Sequence, residues 1–291
     1  MTPEPARVRI CDVGPRDGLQ DHPQTFAPAV RAELAARLGA TGVARVEVAS
    51  FVHPARVPQM AGAEEVVAAL PADAAVEWSG LVLNERGYDR ALAAGLARVN
   101  YTLAATEAFA QRNQGASVDA AVATGERLAE RARRDGIGLT VTIAVSFGCP
   151  FEGAVDPCAV VGLAERVVRA GVDEVVLADT IGIGVPAQVR QFAGALDGLP
   201  ATLGFHFHDT RRTGVANAIA AVECGVELLD ASVGGLGGCP FAPGATGNVA
   251  TEDVVRAMGA MRVETGVSLD ALHACAAWLN DRTAEEAAVH V

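Results

Sequence analysis

Eight short apolar runs of strand type alternate with longer Ala- and Leu-rich stretches of helical period, which restricts this chain to repeated βα units around a parallel sheet. The runs are Val8 to Asp12, Val43 to Ala49, Val76 to Leu83, Arg98 to Leu103, Gly138 to Val145, Glu174 to Ala178, Thr202 to Phe207 and Glu227 to Ser232. Helical stretches between them include Pro28 to Leu38, Val118 to Arg134, Pro157 to Ala170, Pro186 to Leu196 and Thr213 to Cys224. Several open with Pro, Asp or Ser in cap positions, and Gly39, Gly136, Gly171 and Gly225 stand where C-caps are expected. The fold class predicted is α/β, a (β/α)8 TIM barrel, and 291 residues is close to the roughly 250 typical of one such barrel. Residues 1–291 read as a single catalytic TIM-barrel domain. After the eighth run come a Gly-rich stretch at 234–247, a helix from about Asn248 to Met261, and an additional C-terminal helix at 269–280.

Charge narrows the choice of partner. At a formal −12 the average field repels phosphates and anionic lipid unless arginines gather locally, so neither nucleic acid nor a membrane is an expected partner. All 23 basic residues are arginine. The lack of lysine excludes a Schiff-base aldolase, a Walker P-loop and a lysine-anchored pyridoxal enzyme. Cys11, Cys149, Cys158, Cys224, Cys239 and Cys275 are widely spaced without a CxxC pair, and read as reduced thiols. The N-terminus has no basic stretch followed by an apolar run, which predicts a cytoplasmic protein, and the alanine-rich outer helices suggest a homodimer.

In such barrels the active site lies at the C-terminal ends of the strands, so polar clusters just past the strands are the candidates for chemistry. One is the tight turn Asp12 to Gln20, for which a solvated Arg/Asp turn is the plain alternative. Another is His206-Phe207-His208-Asp209-Thr210. Residues two apart on a strand face the same side, so both histidines can address one metal, although satisfied core histidines are the bland reading. The third is the stretch from Gly234 to Asp253, whose glycines argue for a mobile functional loop around Cys239. Closure of a barrel makes the seventh, eighth and first strands neighbours, so Asp17, His206, His208 and Asn248 can converge. Two imidazoles, a carboxylate and an amide oxygen suit octahedral Mg2+ or Mn2+ better than a closed zinc site.

Gly14-Pro15-Arg16-Asp17-Gly18-Leu19-Gln20, Val46-Glu47-Val48, Ser50-Phe51, Val57-Pro58-Gln59-Met60, Gly148-Cys149-Pro150-Phe151-Glu152-Gly153, Asp179-Thr180-Ile181-Gly182, the His206 to Thr210 segment and the Gly234 to Asp253 segment carry a resemblance over nearly the whole chain. They resemble the 3-hydroxy-3-methylglutaryl-CoA lyases, within the metal-dependent barrel lyases that also include isopropylmalate and homocitrate synthases. The Gly-Gly-Leu-Gly-Gly-Cys-Pro loop is the element most specific to the lyases. The resemblance implies that Asp17, His206, His208 and Asn248 hold a divalent cation, that Arg16 stabilises an enolate, and that Cys239 sits on a loop closing over the site. Glu47 and Asp179 match acidic residues that shape the reaction centre, while Gln20 and Thr180 join Arg16 in contacting substrate. The implied substrate is an acyl-CoA, cleaved by retro-Claisen chemistry to acetyl-CoA and a 3-oxo acid. His206 or Cys239 returns the final proton, and the sequence does not choose between them.

Two departures lie beside the expected site. After Thr210 these lyases commonly continue Tyr-Gly-Gln, whereas this chain has Arg211-Arg212-Thr213, and Gln20 is followed by Asp21-His22-Pro23 rather than Asn-Glu. A longer 3-hydroxy-3-alkylglutaryl-CoA is therefore an alternative to the methyl compound. The rival readings are a Claisen-condensing acyltransferase of the same superfamily and a non-catalytic metal-binding barrel.

Overall fold

A computed structural model describes residues 6–72, 75–238 and 247–289. Strands β1 (Arg9–Asp12), β2 (Arg45–Ser50), β3 (Glu77–Val82), β4 (Arg98–Ala104), β5 (Gly138–Ala144), β6 (Glu174–Asp179), β7 (Thr202–Phe207) and β8 (Leu228–Ala231) form a closed parallel barrel in chain order. Closure is made by β1 against β8, with Arg9 opposite Leu228 and Asp12 opposite Ala231. The expected strands all appear, with ends moved by at most two residues and β7 unchanged.

Ten helices surround the barrel among the described residues: α1 (Pro28–Gly39), α2 (Ala63–Ala68), α3 (Glu85–Ala93), α4 (Glu107–Gln114), α5 (Val118–Asp135), α6 (Pro157–Arg169), α7 (Pro186–Ala195), α8 (Gly214–Glu223), α9 (Thr251–Ala260) and α10 (Leu269–Val289). The side chains of Asn84, Ser117 and Asp156 accept from backbone N–H groups at the starts of α3, α5 and α6. No helix among the described residues is long and apolar enough to cross a membrane.

Four expectations need correction. Helix α9 starts at Thr251 rather than Asn248, because Asn248 and Ala250 form backbone bridges with His208 and Ser232. The C-terminal helix runs to Val289 instead of stopping at residue 280. Gly39 is the last residue of α1 rather than a left-handed cap; a Cβ there would come within 2.7 Å of the Trp78 ring. The helix expected to run to Cys224 ends at Glu223, and Cys224 is exposed just past it.

The apolar core lies between the strands and the helices, whereas much of the barrel interior is polar. Near its N-terminal end, Arg45 pairs with Glu174 (2.7 Å) and Glu77 (2.6 Å), Arg98 pairs with Glu77 (2.9 Å), and Thr140 donates to Glu174 (2.8 Å). Burial alone raises Glu174, but the bonds and charge of Arg45, then Arg98, hold it down to about 2. This layer of paired charge occupies the floor of the barrel, leaving the opposite end for the site.

Candidate active site

The chain leaves β1 in a π-helical turn, Gly14–Gly18. Asp17 N–H and Gly18 N–H both donate to Val13 O, at 2.7 and 3.2 Å, and Gly14 N–H donates to Asp12 Oδ1 at 2.9 Å. Glycine is required at Gly18, where a Cβ would come within 2.8 Å of Leu236 Cβ. Asp12 is the anchor: its other oxygen accepts from Thr251 Oγ1 (2.6 Å), tying the turn to the start of α9, and burial pushes its carboxyl up to about 7. The turn delivers Arg16 and Asp17 to the C-terminal end of the barrel.

There Asp17 meets His206, on β7, and His208, just past its end. The two rings are 5.2 Å apart between centroids, and Asp17 Oδ2 lies 4.0 Å from His206 Nε2 and 3.8 Å from His208 Nε2. One ligand atom from each of the three lies within 4.8 Å of the others. Asn248 joins them, donating through Nδ2 to Asp17 Oδ2 at 2.8 Å, while its Oδ1 is buried without a partner. A half-turn of that amide presents its oxygen to the same point, so the donor set fits one oxygen- and nitrogen-ligated divalent cation. Burial works to raise the Asp17 carboxyl, but the Arg16 guanidinium, the His208 bond and His206 together hold it well below the usual carboxylate range. It is an anion ready to ligate.

The sequence reading missed Asp230. It lies on β8, 7% exposed, with Oδ2 3.3 Å from His206 Nδ1. Burial favours neutral His206, yet the Asp230 bond and the Asp17 charge raise its proton affinity above the ordinary imidazole range. A carboxylate behind a ligating imidazole fixes the ring and its tautomer, leaving Nε2 for the metal. The only signal in the sequence was an acidic residue inside an otherwise apolar strand.

Arg16 is buried, with Nε bonded to Glu47 Oε2 and Nη1 to Asp17 Oδ1. Glu47 also accepts from Asn100 Nδ2 at 2.9 Å; burial raises its carboxyl, and Arg16 and Asn100 partly offset this. The other expected residues are placed differently. Both Asp179 oxygens accept backbone N–H groups of its own loop, from Ile183 (3.0 Å) and Gly184 (2.8 Å). Burial raises this carboxyl in spite of those two bonds. Thr180 Oγ1 accepts from Val145 N–H (2.8 Å), at a β-branched residue held at φ 55°. Gln20 Oε1 is buried and unpartnered at the end of the first turn.

Cys239 lies outside the described residues, as does 239–246 of the Gly-rich loop. The described arms of that loop pack on the ligand group: Asn248 Nδ2 donates to Leu236 O (2.9 Å), and a Cβ on Gly237, at φ 130°, would come within 2.6 Å of Asn248 Nδ2. A surface cleft of about 560 Å3, which includes Asp173, Asp197 and Glu227, opens at the opposite end of the barrel, away from the Asp17 cluster.

Known proteins are similar to this chain over most of its length. The HMGL-like family model matches residues 7–278. The chain is 44% identical to an (R)-citramalyl-CoA lyase of Chloroflexus aurantiacus, over 94% of this chain and 90% of that protein. It is 40% identical to a 3-hydroxy-3-isohexenylglutaryl-CoA/hydroxymethylglutaryl-CoA lyase of Pseudomonas aeruginosa, over 92% and 90% of the two chains. The crystal structure of the Bacillus subtilis HMG-CoA lyase superposes with a TM-score of 0.92 at 36% identity, covering 96% of this chain and 94% of that one.

Proposed function

The chain belongs to the HMGL-like family of carbon–carbon lyases, and we propose that it is a divalent-metal-dependent enzyme cleaving 3-hydroxy-3-methylglutaryl-CoA, or a close 3-hydroxy-3-alkylglutaryl-CoA, to acetyl-CoA and the matching 3-oxo acid. The observation that carries this reading is the convergence of Asp17, His206 and His208 beside a buried Arg16 at the C-terminal end of the barrel. Exposed Arg211 and Arg212, just after Thr210, add positive charge at that end, which suits an anionic thioester in a chain of net charge −12.

Asp17, His206, His208 and Asn248 would hold Mg2+ or Mn2+, which would supply Lewis acidity to lower the pKa of the substrate's tertiary hydroxyl. As that hydroxyl gives its proton to a basic group of the site, the bond from its carbon to the thioester α-carbon breaks. The electron pair moves onto the thioester as an enolate, and the hydroxyl carbon becomes the ketone. Arg16, permanently charged and held in place by Glu47, faces the enolate oxygen. The enolate carbon then takes a proton. His206 has Nδ1 toward Asp230 and Nε2 toward Asp17, among the residues that would hold the cation, and this supports Cys239 as the donor. Changing Cys239→Ser is expected to lower turnover by about 10²-fold with metal saturating, and a loss below about two-fold rejects the thiol as proton carrier.

A second substrate is favoured by the 44% identity to the citramalyl-CoA lyase and by the departures at Asp21 to Pro23 and Arg211 to Thr213. Citramalyl-CoA breaks at the same kind of bond, with its carboxylate one methylene closer, and yields pyruvate. One methylene changes specificity by about 10- to 200-fold, so the two are separable. Acetyl-CoA release is to be measured from 3-hydroxy-3-methylglutaryl-CoA, longer 3-alkyl homologues and citramalyl-CoA, with Mg2+ or Mn2+ and after chelation. One thioester should stand out and chelation should abolish its turnover. No release from any of them with metal present sinks the proposal.

A further inference from the structure

Beneath the site, side chains from three strands and the first turn are joined end to end. Thr142 Oγ1, on β5, donates to Asn100 Oδ1, on β4, at 2.9 Å; Asn100 Nδ2 donates to Glu47 Oε1, on β2, at 2.9 Å; the other Glu47 oxygen accepts from Arg16 Nε. All four residues are buried. Each bond is directional. The Thr142 hydroxyl occupies the amide oxygen of Asn100, which fixes that amide with its N–H groups toward Glu47. Glu47, held at one oxygen, presents the other to Arg16 Nε, and the guanidinium has one way to lie.

We propose that Asn100 and Thr142 are positioning residues that aim the Arg16 guanidinium, acting through Glu47. This rests on the assignment of Arg16 to the enolate oxygen. Charge neutralisation does not account for the pair, because Asn100 and Thr142 are uncharged and Arg16 already has Glu47 and Asp17 beside it. The floor of the barrel is different: there Thr140, two residues before Thr142, sits among two arginines and two glutamates. The chain of bonds has a stability role as well, since Asn100 Nδ2 satisfies a buried Glu47 oxygen and Thr142 satisfies the Asn100 amide oxygen, so that removing either donor leaves a buried acceptor unpaired. That role alone would be met by any donor within reach of each acceptor. What the Thr142–Asn100 pair adds is direction.

Thr142→Val keeps the shape and removes the hydroxyl, and Asn100→Leu removes the link to Glu47. Each is expected to lower kcat by about 10-fold or more while leaving KM and metal affinity within about two-fold, and Thr142→Ser is expected to restore turnover. The second readout needs neither substrate nor metal. The Arg16 Nε–H resonance in a 15N spectrum, identified by its loss in Arg16→Gln, should exchange slowly in the wild type and faster, with a broader line, in Thr142→Val. A wild type inactive on every thioester defeats the assigned reaction but leaves this readout able to decide the positioning. An Arg16 signal unchanged in Thr142→Val overturns the proposal, as does a Thr142→Val kcat within about two-fold of wild type. If Asn100→Leu does not fold, the Thr142→Val and Thr142→Ser comparison decides alone.

Discussion

Alanine in place of Asp17, His206 or His208 is expected to weaken Mn2+ or Mg2+ binding by about 10²-fold or more and to take acetyl-CoA release down with it, since even groups behind a ligand are worth 10- to 100-fold in affinity. Each substitution removes one of the three groups whose ligand atoms lie within 4.8 Å of one another. The fold should persist, because these side chains lie on the functional face of the barrel and not on its floor. Isothermal titration of each variant with Mn2+, beside a circular dichroism spectrum, checks both halves. Metal affinity unchanged in all three variants contradicts the site. The pH dependence has a definite sign. Ligands bind metal in their deprotonated forms, and Asp17 is held below the carboxylate range, so it is anionic through neutral pH. His206 holds its proton more tightly than an ordinary imidazole, so metal affinity is full at alkaline pH and begins to fall above the usual imidazole range as pH drops.

Arg16 gives the second large effect, and two substitutions separate its roles. Arg16→Gln is expected to reduce turnover by about 10²-fold or more, the loss that follows removal of a transition-state charge partner. It also leaves the buried Glu47 carboxylate without its counter-charge, which costs about 3–5 kcal/mol of stability. Arg16→Lys restores the positive charge and most of that stability. It should still turn over slowly, because Arg16 addresses Glu47 through Nε and Asp17 through Nη1 at once, and one ammonium cannot reproduce that fork. Thermal melts and single-turnover rates on the two variants make the comparison. A Lys variant with near-normal turnover rejects the geometric role, and a Gln variant with near-normal turnover rejects the enolate role altogether.

The strands, their order and the shared face of His206 and His208 were legible in the sequence, because short apolar runs, turn residues and the alternation of side chains along a strand act over a few positions of backbone. Barrel closure then made the Arg16–Asp17 turn and the strand-end histidines candidates for one place, and Asp17, His206 and His208 do lie together there. Local patterns did less well where a side chain's partner lies far along the chain. Asn248 was expected beside Asp17 and bonds it across 231 positions of sequence, but its backbone stands in a bridge beside His208 rather than in the expected helix. Asp230 gave no motif, and its importance appears only when β8 sets it behind His206. The Asp179 carboxylate is bound by the backbone of its own loop, and Thr142 and Asn100 gain meaning only through Glu47. Sequence by itself determined which residues form strands and helices and which strand faces point inward, since those follow from local backbone preferences and the burial of apolar side chains. Tertiary structure alone decided which inward polar groups share hydrogen bonds, because closing the barrel brings β8 against β1 and leaves each buried donor and acceptor only the partners that the closed ring provides.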